Sequence, residues 1–107
     1  MDASRGAVGP TSEPLNQVFR ALADPTRRAI LTRLARCDAT VGELAEPFPM
    51  TLQAVSRHLA VLERAGLVVR GREAQWRTSS LDPRPLREAS AWLEEFRTFW
   101  DLGTPRG

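Results

Sequence analysis

Thr51-Leu52-Gln53-Ala54-Val55-Ser56-Arg57-His58-Leu59-Ala60-Val61-Leu62-Glu63-Arg64-Ala65-Gly66 reads as a two-faced helix with a stop signal at each end. Val55, Leu59 and Leu62 recur at i, i+4 and i+7, with Leu52 alongside, and make one stripe apolar. Gln53, Arg57, Ala60 and Arg64 fall on the opposite side, with Ser56 at its edge. Thr51 is a good N-cap, because its hydroxyl accepts from a first-turn N–H that has no helical partner. Gly66 suits the position after the C-cap, where a positive φ is needed. The helix is therefore placed at 51–65.

Its polar face is acid-free until Glu63. An ordinary solvated face alternates acids and bases. Thr51, Gln53, Ser56, Arg57 and His58 are instead of the types that hydrogen-bond base edges and phosphates. Ala54 and Ala60 are small enough to let the helix lie close to a groove floor. A surface helix that merely lacks acids is the alternative, and the flanking sequence decides between them.

Downstream, Leu67-Val68-Val69 and Trp76-Arg77-Thr78-Ser79-Ser80-Leu81 read as strands around a Gly71-Arg72-Glu73-Ala74-Gln75 turn. This hairpin is a wing. Arg70, Arg72 and Arg77 stud it, with Gln75 at the tip, so a 70–77 wing can reach phosphates or a minor groove. Edge charge that blocks strand aggregation is the competing reading.

Upstream, Thr40-Val41-Gly42-Glu43 is a capping box. Pro47 and Pro49 keep the helix it starts short. Val41, Leu44, Ala45 and Phe48 face its core side. Two short helices joined by so brief a connector, the second with a polar reading face, are a helix-turn-helix. Before them, Asp24 caps a helix with Pro25 at its first position. Ile30, Leu31 and Leu34 form its buried side; Arg27, Arg28, Arg33 and Arg36 form its wet side. Arg27 and Arg28 stand in the first turn against the helix dipole, which calls for a nearby anion, either a phosphate or a Glu.

The first helix is expected to begin near Ser12-Glu13-Pro14, with Leu15, Val18, Phe19 and Leu22 at helical spacing. Residues 1–11 lack periodicity and read as a disordered leader. At the other end, Asp82-Pro83-Arg84-Pro85 restarts a helix on which Leu86, Ala89, Leu93, Phe96 and Trp100 keep a 3-4-3-4 spacing. Trp92 and Phe99 widen the stripe, and Gly103-Thr104-Pro105 ends it. The domain then spans 12–102, with 103–107 a tail. So aromatic a face needs cover. It packs either on the first helix alone or on that helix and a second copy, and the enrichment of aromatics at interfaces favours the second. The expected interface comprises Leu15, Val18, Phe19, Leu22, Ala89, Trp92, Leu93, Phe96, Phe99 and Trp100.

At 107 residues the chain is one domain with a small core that gains from oligomerisation. All 15 basic residues are arginine, and the formal net charge is +2. Residues 50–80 carry five arginines against two glutamates, a balance of +3, whereas 86–102 balance to −2. Positive charge sits where the helix-turn-helix and wing do, which suits an anionic partner. Cys37 is the sole cysteine, so no intrachain disulfide forms and a reducing cytoplasm is expected. Cys37 itself reads as a small buried apolar residue rather than a redox switch. No apolar run is long enough for a membrane span, and the N-terminus lacks a signal-peptide core. One His, one Cys and no Gly-rich phosphate loop leave enzymatic readings little support.

The strings Ala21-Leu22-Ala23-Asp24-Pro25-Thr26-Arg27-Arg28, Val41-Gly42-Glu43-Leu44-Ala45, Ala54-Val55-Ser56-Arg57-His58-Leu59 and Leu62-Glu63-Arg64-Ala65-Gly66-Leu67-Val68 resemble the ArsR-type winged-helix repressors. The likeness runs from about Leu15 to Leu102, and Gly71 to Arg77 followed by Leu81-Asp82 resembles the wing of one subgroup. The resemblance implies a mainly α fold with a small β-hairpin, and a homodimeric bacterial transcriptional regulator, usually a repressor, dimerising through its terminal helices. It places Ser56, Arg57 and His58 in the recognition helix and residues 72–77 in the wing. Metal-sensing members of the family carry Cys-x-Cys in the third helix, where this chain reads Glu43-Leu44-Ala45-Glu46. One His and one Cys fall short of the three or four ligands that zinc or arsenic needs, so no metal and no cofactor is expected.

The leading reading is a sequence-specific DNA-binding homodimer. Gln53, Ser56 and Arg57 meet bases, and Thr51, His58 and the wing arginines meet phosphates. Two roles stay open for His58, because its helical angle lies off the centre of the polar face: phosphate contact, or a hydrogen bond within the protein. A winged-helix protein-interaction module is the competing function, and a flat salt response would mark it.

Overall fold

The computed structural model describes residues 5–72 and 77–106. Six helices and three short strands follow in the order α1 (Arg5–Leu22), α2 (Pro25–Leu34), β1 (Ala39–Thr40), α3 (Val41–Ala45), α4 (Leu52–Arg64), β2 (Val68–Arg70), β3 (Thr78–Leu81), α5 (Arg84–Glu94) and α6 (Arg97–Arg106). The strands form one antiparallel sheet in the order β1-β3-β2. Among the described residues no helix is long and apolar enough to cross a membrane.

The caps fall where short-range chemistry puts them. Asp24 Oδ2 accepts from the Arg27 N–H at 3.0 Å and opens α2, with Pro25 in its first turn. The Thr40 hydroxyl accepts from Glu43 N–H at 3.2 Å, while the Glu43 carboxylate accepts from Thr40 N–H at 2.9 Å, closing the capping box. Thr51 Oγ1 accepts from Ala54 N–H at 3.1 Å and opens α4.

α4 ends in a Schellman turn. Leu67 N–H donates to Leu62 O and Gly66 N–H to Glu63 O, both at 2.9 Å, with Gly66 at φ +81°. A Cβ there would lie 3.5 Å from Pro85 Cγ, an ordinary contact, so the obstacle to a larger residue is the backbone conformation. Gly66→Ala is expected to lower stability by about 1 kcal/mol, read as a lower urea midpoint at unchanged slope.

The core lies where α1, α2, α4 and the sheet meet. Ile30, Leu44, Val55, Leu59, Leu62 and Leu67 are fully buried there, with Leu31 and Leu34 behind them. Three of these residues are the α4 stripe, so apolar burial fixes which side of α4 faces out. Leu52 is the exception: it is 54% exposed, because the first turn of α4 projects past the core.

Several boundaries differ from expectation. α1 begins at Arg5, so residues 5–11 continue the helix instead of forming a leader, and Ser12 lies inside it; residues 1–4 are outside the described set. Once the packed turns at Leu15–Leu22 exist, adding residues upstream costs no new nucleus. This holds even though Pro10 and Pro14 each withdraw a donor. Ala39 and the capping residue Thr40 also form β1, which the sequence did not suggest, with Ala39 opposite Ser79 and Thr40 opposite Thr78.

The terminal helix is two helices. Glu95 N–H donates to Trp92 O (3.1 Å) and Phe96 N–H to Leu93 O (3.0 Å), tightening the end of α5 into i→i−3 bonds. Arg97 bridges the break by donating to Glu94 from Nε at 2.8 Å. α6 then runs through Gly103-Thr104-Pro105 to Arg106, past the point where the sequence suggests a stop. Val18 and Ala89, expected in a dimer interface, are only 2% and 3% exposed. They belong to the subunit's own core and have no surface to offer a partner. Cys37, expected to be buried, is exposed, because it lies beyond the last turn of α2 rather than on its inner face. The Arg33 guanidinium donates to Cys37 O and Sγ, both at 3.2 Å.

Candidate nucleic-acid interface

α3, a turn and α4 form a helix-turn-helix whose second helix is anchored by Val55, Leu59 and Leu62. Gln53 and Arg57 stand exposed on the outer face, with Thr51 exposed at its start. Ala54, Ser56 and Ala60 are half-buried beside them. No acid interrupts this face before Glu63. The exposed turns present donors and acceptors on a rigid rod, the geometry that suits a major groove. Exposed Leu52 adds an apolar group next to Gln53 that periodicity assigned to the core; such a group can meet a thymine methyl.

His58 takes the internal role. Its Nδ1 lies 3.2 Å from Arg27 Nη1 and 3.9 Å from Asp24 Oδ2, and its side chain is largely covered. Phosphate contact through that nitrogen is therefore closed, because the ring has turned toward the α1–α2 corner.

The α2 arginines resolve the dipole conflict in a way no local reading gives. Arg27 Nε donates to Ala21 O (2.8 Å) and Nη2 to Arg20 O (3.1 Å); Arg28 Nη1 donates to Leu22 O (2.7 Å). Their partner is neither phosphate nor Glu but the carbonyl end of α1, where backbone acceptors and the negative end of the dipole coincide. Asp24 sits in the same corner. Its carboxyl is held below the ordinary carboxylate range, chiefly by the Arg27 backbone N–H, with His58 and the Arg27 guanidinium adding to it against partial burial.

The wing leaves the sheet as β2 and returns as β3, with Val68 opposite Leu81 and Arg70 opposite Ser79. Gly71 N–H donates to Thr78 O at 2.8 Å, and Arg77 Nε donates to Gly71 O at 2.8 Å. Arg77 thus braces the wing base while its side chain remains exposed; Arg72 is exposed beside it. Arg70 is half-buried, and its Nε has no partner among the described residues. Gln75, expected at the tip, lies outside the described residues.

Residues 22–71 match the family described as a helix-turn-helix domain. The transcriptional repressor SdpR of Bacillus subtilis is 37% identical over 82 residues, covering 77% of this chain and 91% of SdpR. The HTH-type transcriptional regulator Rv2034 of Mycobacterium tuberculosis is 43% identical over 83 residues, 78% of each chain. A crystal structure of an ArsR family transcriptional regulator superposes with a TM-score of 0.77 at 44% identity, over 83% of this chain and 98% of that one. The chain belongs to the ArsR-type winged helix-turn-helix regulators. As an ArsR-type regulator it is a DNA-binding transcriptional regulator and not an enzyme. Its α4 occupies the recognition-helix position, and β2 and β3 form its wing. Among its described residues no three His, Cys, Asp or Glu side chains gather as a metal site.

Along α1, α5 and α6 this ArsR-type regulator carries an aromatic ladder. Phe19 of α1 meets Trp92 edge-on at 5.8 Å between ring centroids, Trp92 meets Phe96 at 4.9 Å, and Phe96 meets Phe99 at 6.4 Å. Trp92, Leu93, Phe96, Phe99 and Trp100 all remain exposed, whereas Leu15, Phe19 and Leu22 are half-buried against the core.

Proposed function

We propose that the protein is a sequence-specific repressor acting as a homodimer. Each helix 51–65 enters a major groove, and each 70–77 wing rests on the backbone or in the adjoining minor groove. Gln53, Arg57 and, at the edge, Ser56 meet base edges; Thr51 and Arg72 meet phosphates; Ala54 permits close approach. Half-sites then lie about one helical turn apart, or a multiple of it. The observation that carries this reading is the orientation of α4. Its apolar stripe is fully buried, which holds the acid-free face outward. Dimerisation through α1, α5 and α6 rests on the exposed aromatics Trp92, Phe96, Phe99 and Trp100. Repression follows when a dimer covers promoter DNA, and the relative SdpR is named a repressor.

The test is selection of duplexes from a random pool, followed by mobility shifts at two salt concentrations. Enrichment of an inverted repeat, with affinity falling steeply with salt, is the expected result. A flat salt response or a pool that never converges would reject the assignment.

A further inference from the structure

Arg27 joins three elements through one planar group. Its backbone N–H is the donor that Asp24 caps at the start of α2. Its side chain holds Arg20 O and Ala21 O at the end of α1 and His58 Nδ1 on α4. An arginine has no lone pair to offer. The His58 Nδ1 must therefore be the acceptor, and the proton of the neutral ring sits on Nε2. The remaining contacts of α4 with the core are apolar and carry no direction. They fix which face of α4 points outward but leave the swing of its axis to the polar contact.

We propose that Arg27 is a positioning residue for DNA recognition, fixing the orientation of Arg57 and Gln53 relative to α1 through the unprotonated Nδ1 of His58. The inference rests on α4 being the reading helix and on α1 belonging to the dimerising end. A 13-residue helix is about 20 Å long. A swing of about 10° moves its end by roughly 3 Å, enough to lift a side chain off a base edge. Two such helices in a dimer must hold their mutual spacing as well, so an error at the corner counts twice.

The experiment uses the full chain and two probes: a duplex enriched from a random pool by the wild type, and an unrelated duplex of equal length. Arg27→Gln is expected to weaken binding to the enriched duplex about tenfold and to leave the unrelated duplex within about twofold. His58→Ala is expected to match it, and the double variant to be no worse than either. His58→Asn puts an acceptor oxygen near the Nδ1 position and is expected to bind as the wild type does. Thermal melts of each variant report the folded fraction. Equal weakening on both duplexes in step with lost folding, wild-type binding by His58→Ala, or weakened binding by His58→Asn equal to that of His58→Ala would each overturn the inference. A wild type that enriches no duplex would overturn the reading of α4 itself, and the inference with it.

Discussion

Arg57→Ala is expected to weaken binding to the preferred duplex by about 1–3 kcal/mol and to relax the base preference at one position of each half-site. Arg57 is exposed on the outer face of α4, between residues whose other sides are locked in the core. Removing it therefore costs the fold little, because surface substitutions usually stay within about 0.5 kcal/mol. A guanidinium can take two acceptors of a guanine at once, so truncation leaves those acceptors facing an apolar methyl. Arg72→Ala provides the contrast. A phosphate contact carries no sequence information, so its loss should weaken enriched and unrelated duplexes alike and lower the salt slope by about one unit. Fluorescence anisotropy on a set of single-base variants separates the two. An Arg57→Ala protein with unchanged discrimination at every position would show that Arg57 does not read bases.

The parts of the molecule legible in the sequence are those decided within a few residues. Thr51, Asp24 and the Thr40–Glu43 pair act on neighbours three positions away, and each forms the cap its residue type suggests. Gly66 and the Val55, Leu59 and Leu62 stripe are likewise local patterns. What escaped depends on distant partners. β1 is two residues long, and its partner strand lies some forty residues along the chain. Arg27 looks misplaced at a helix N-terminus until α1 folds back and presents its carbonyl end. His58 had two roles open, and only the position of that same corner selects one. The 3-4-3-4 spacing from Leu86 to Trp100 describes side-chain chemistry correctly but not the backbone, which tightens at residues 92–96. Periodicity also assigned Leu52 to the core, since it cannot tell where the core stops along a helix.

Phe99→Glu is expected to convert a dimer to monomers and to reduce affinity for a two-half-site duplex by about two orders of magnitude or more. Phe99 is 75% exposed in the single chain, the most open large apolar residue among the described residues. An isolated subunit therefore loses almost nothing when it is changed. In a dimer the same position would be covered, and a carboxylate buried without a partner costs several kcal/mol. The surroundings offer no relief: residues 86–102 already carry an excess of acids, and Arg97 is engaged by Glu94 at 2.8 Å and Asp101 at 3.8 Å. Phe99→Leu keeps the apolar character and should keep most of the association. Sedimentation equilibrium gives the mass directly, and mobility shifts on one- and two-half-site duplexes give its consequence. A single half-site should be bound alike by wild type and variant, because α4 and the wing are untouched. The wild type should then gain strongly from the second half-site and Phe99→Glu should not. Wild-type monomers at micromolar concentration, or a Phe99→Glu protein that still sediments as a dimer, would move the partner surface away from this end of the molecule.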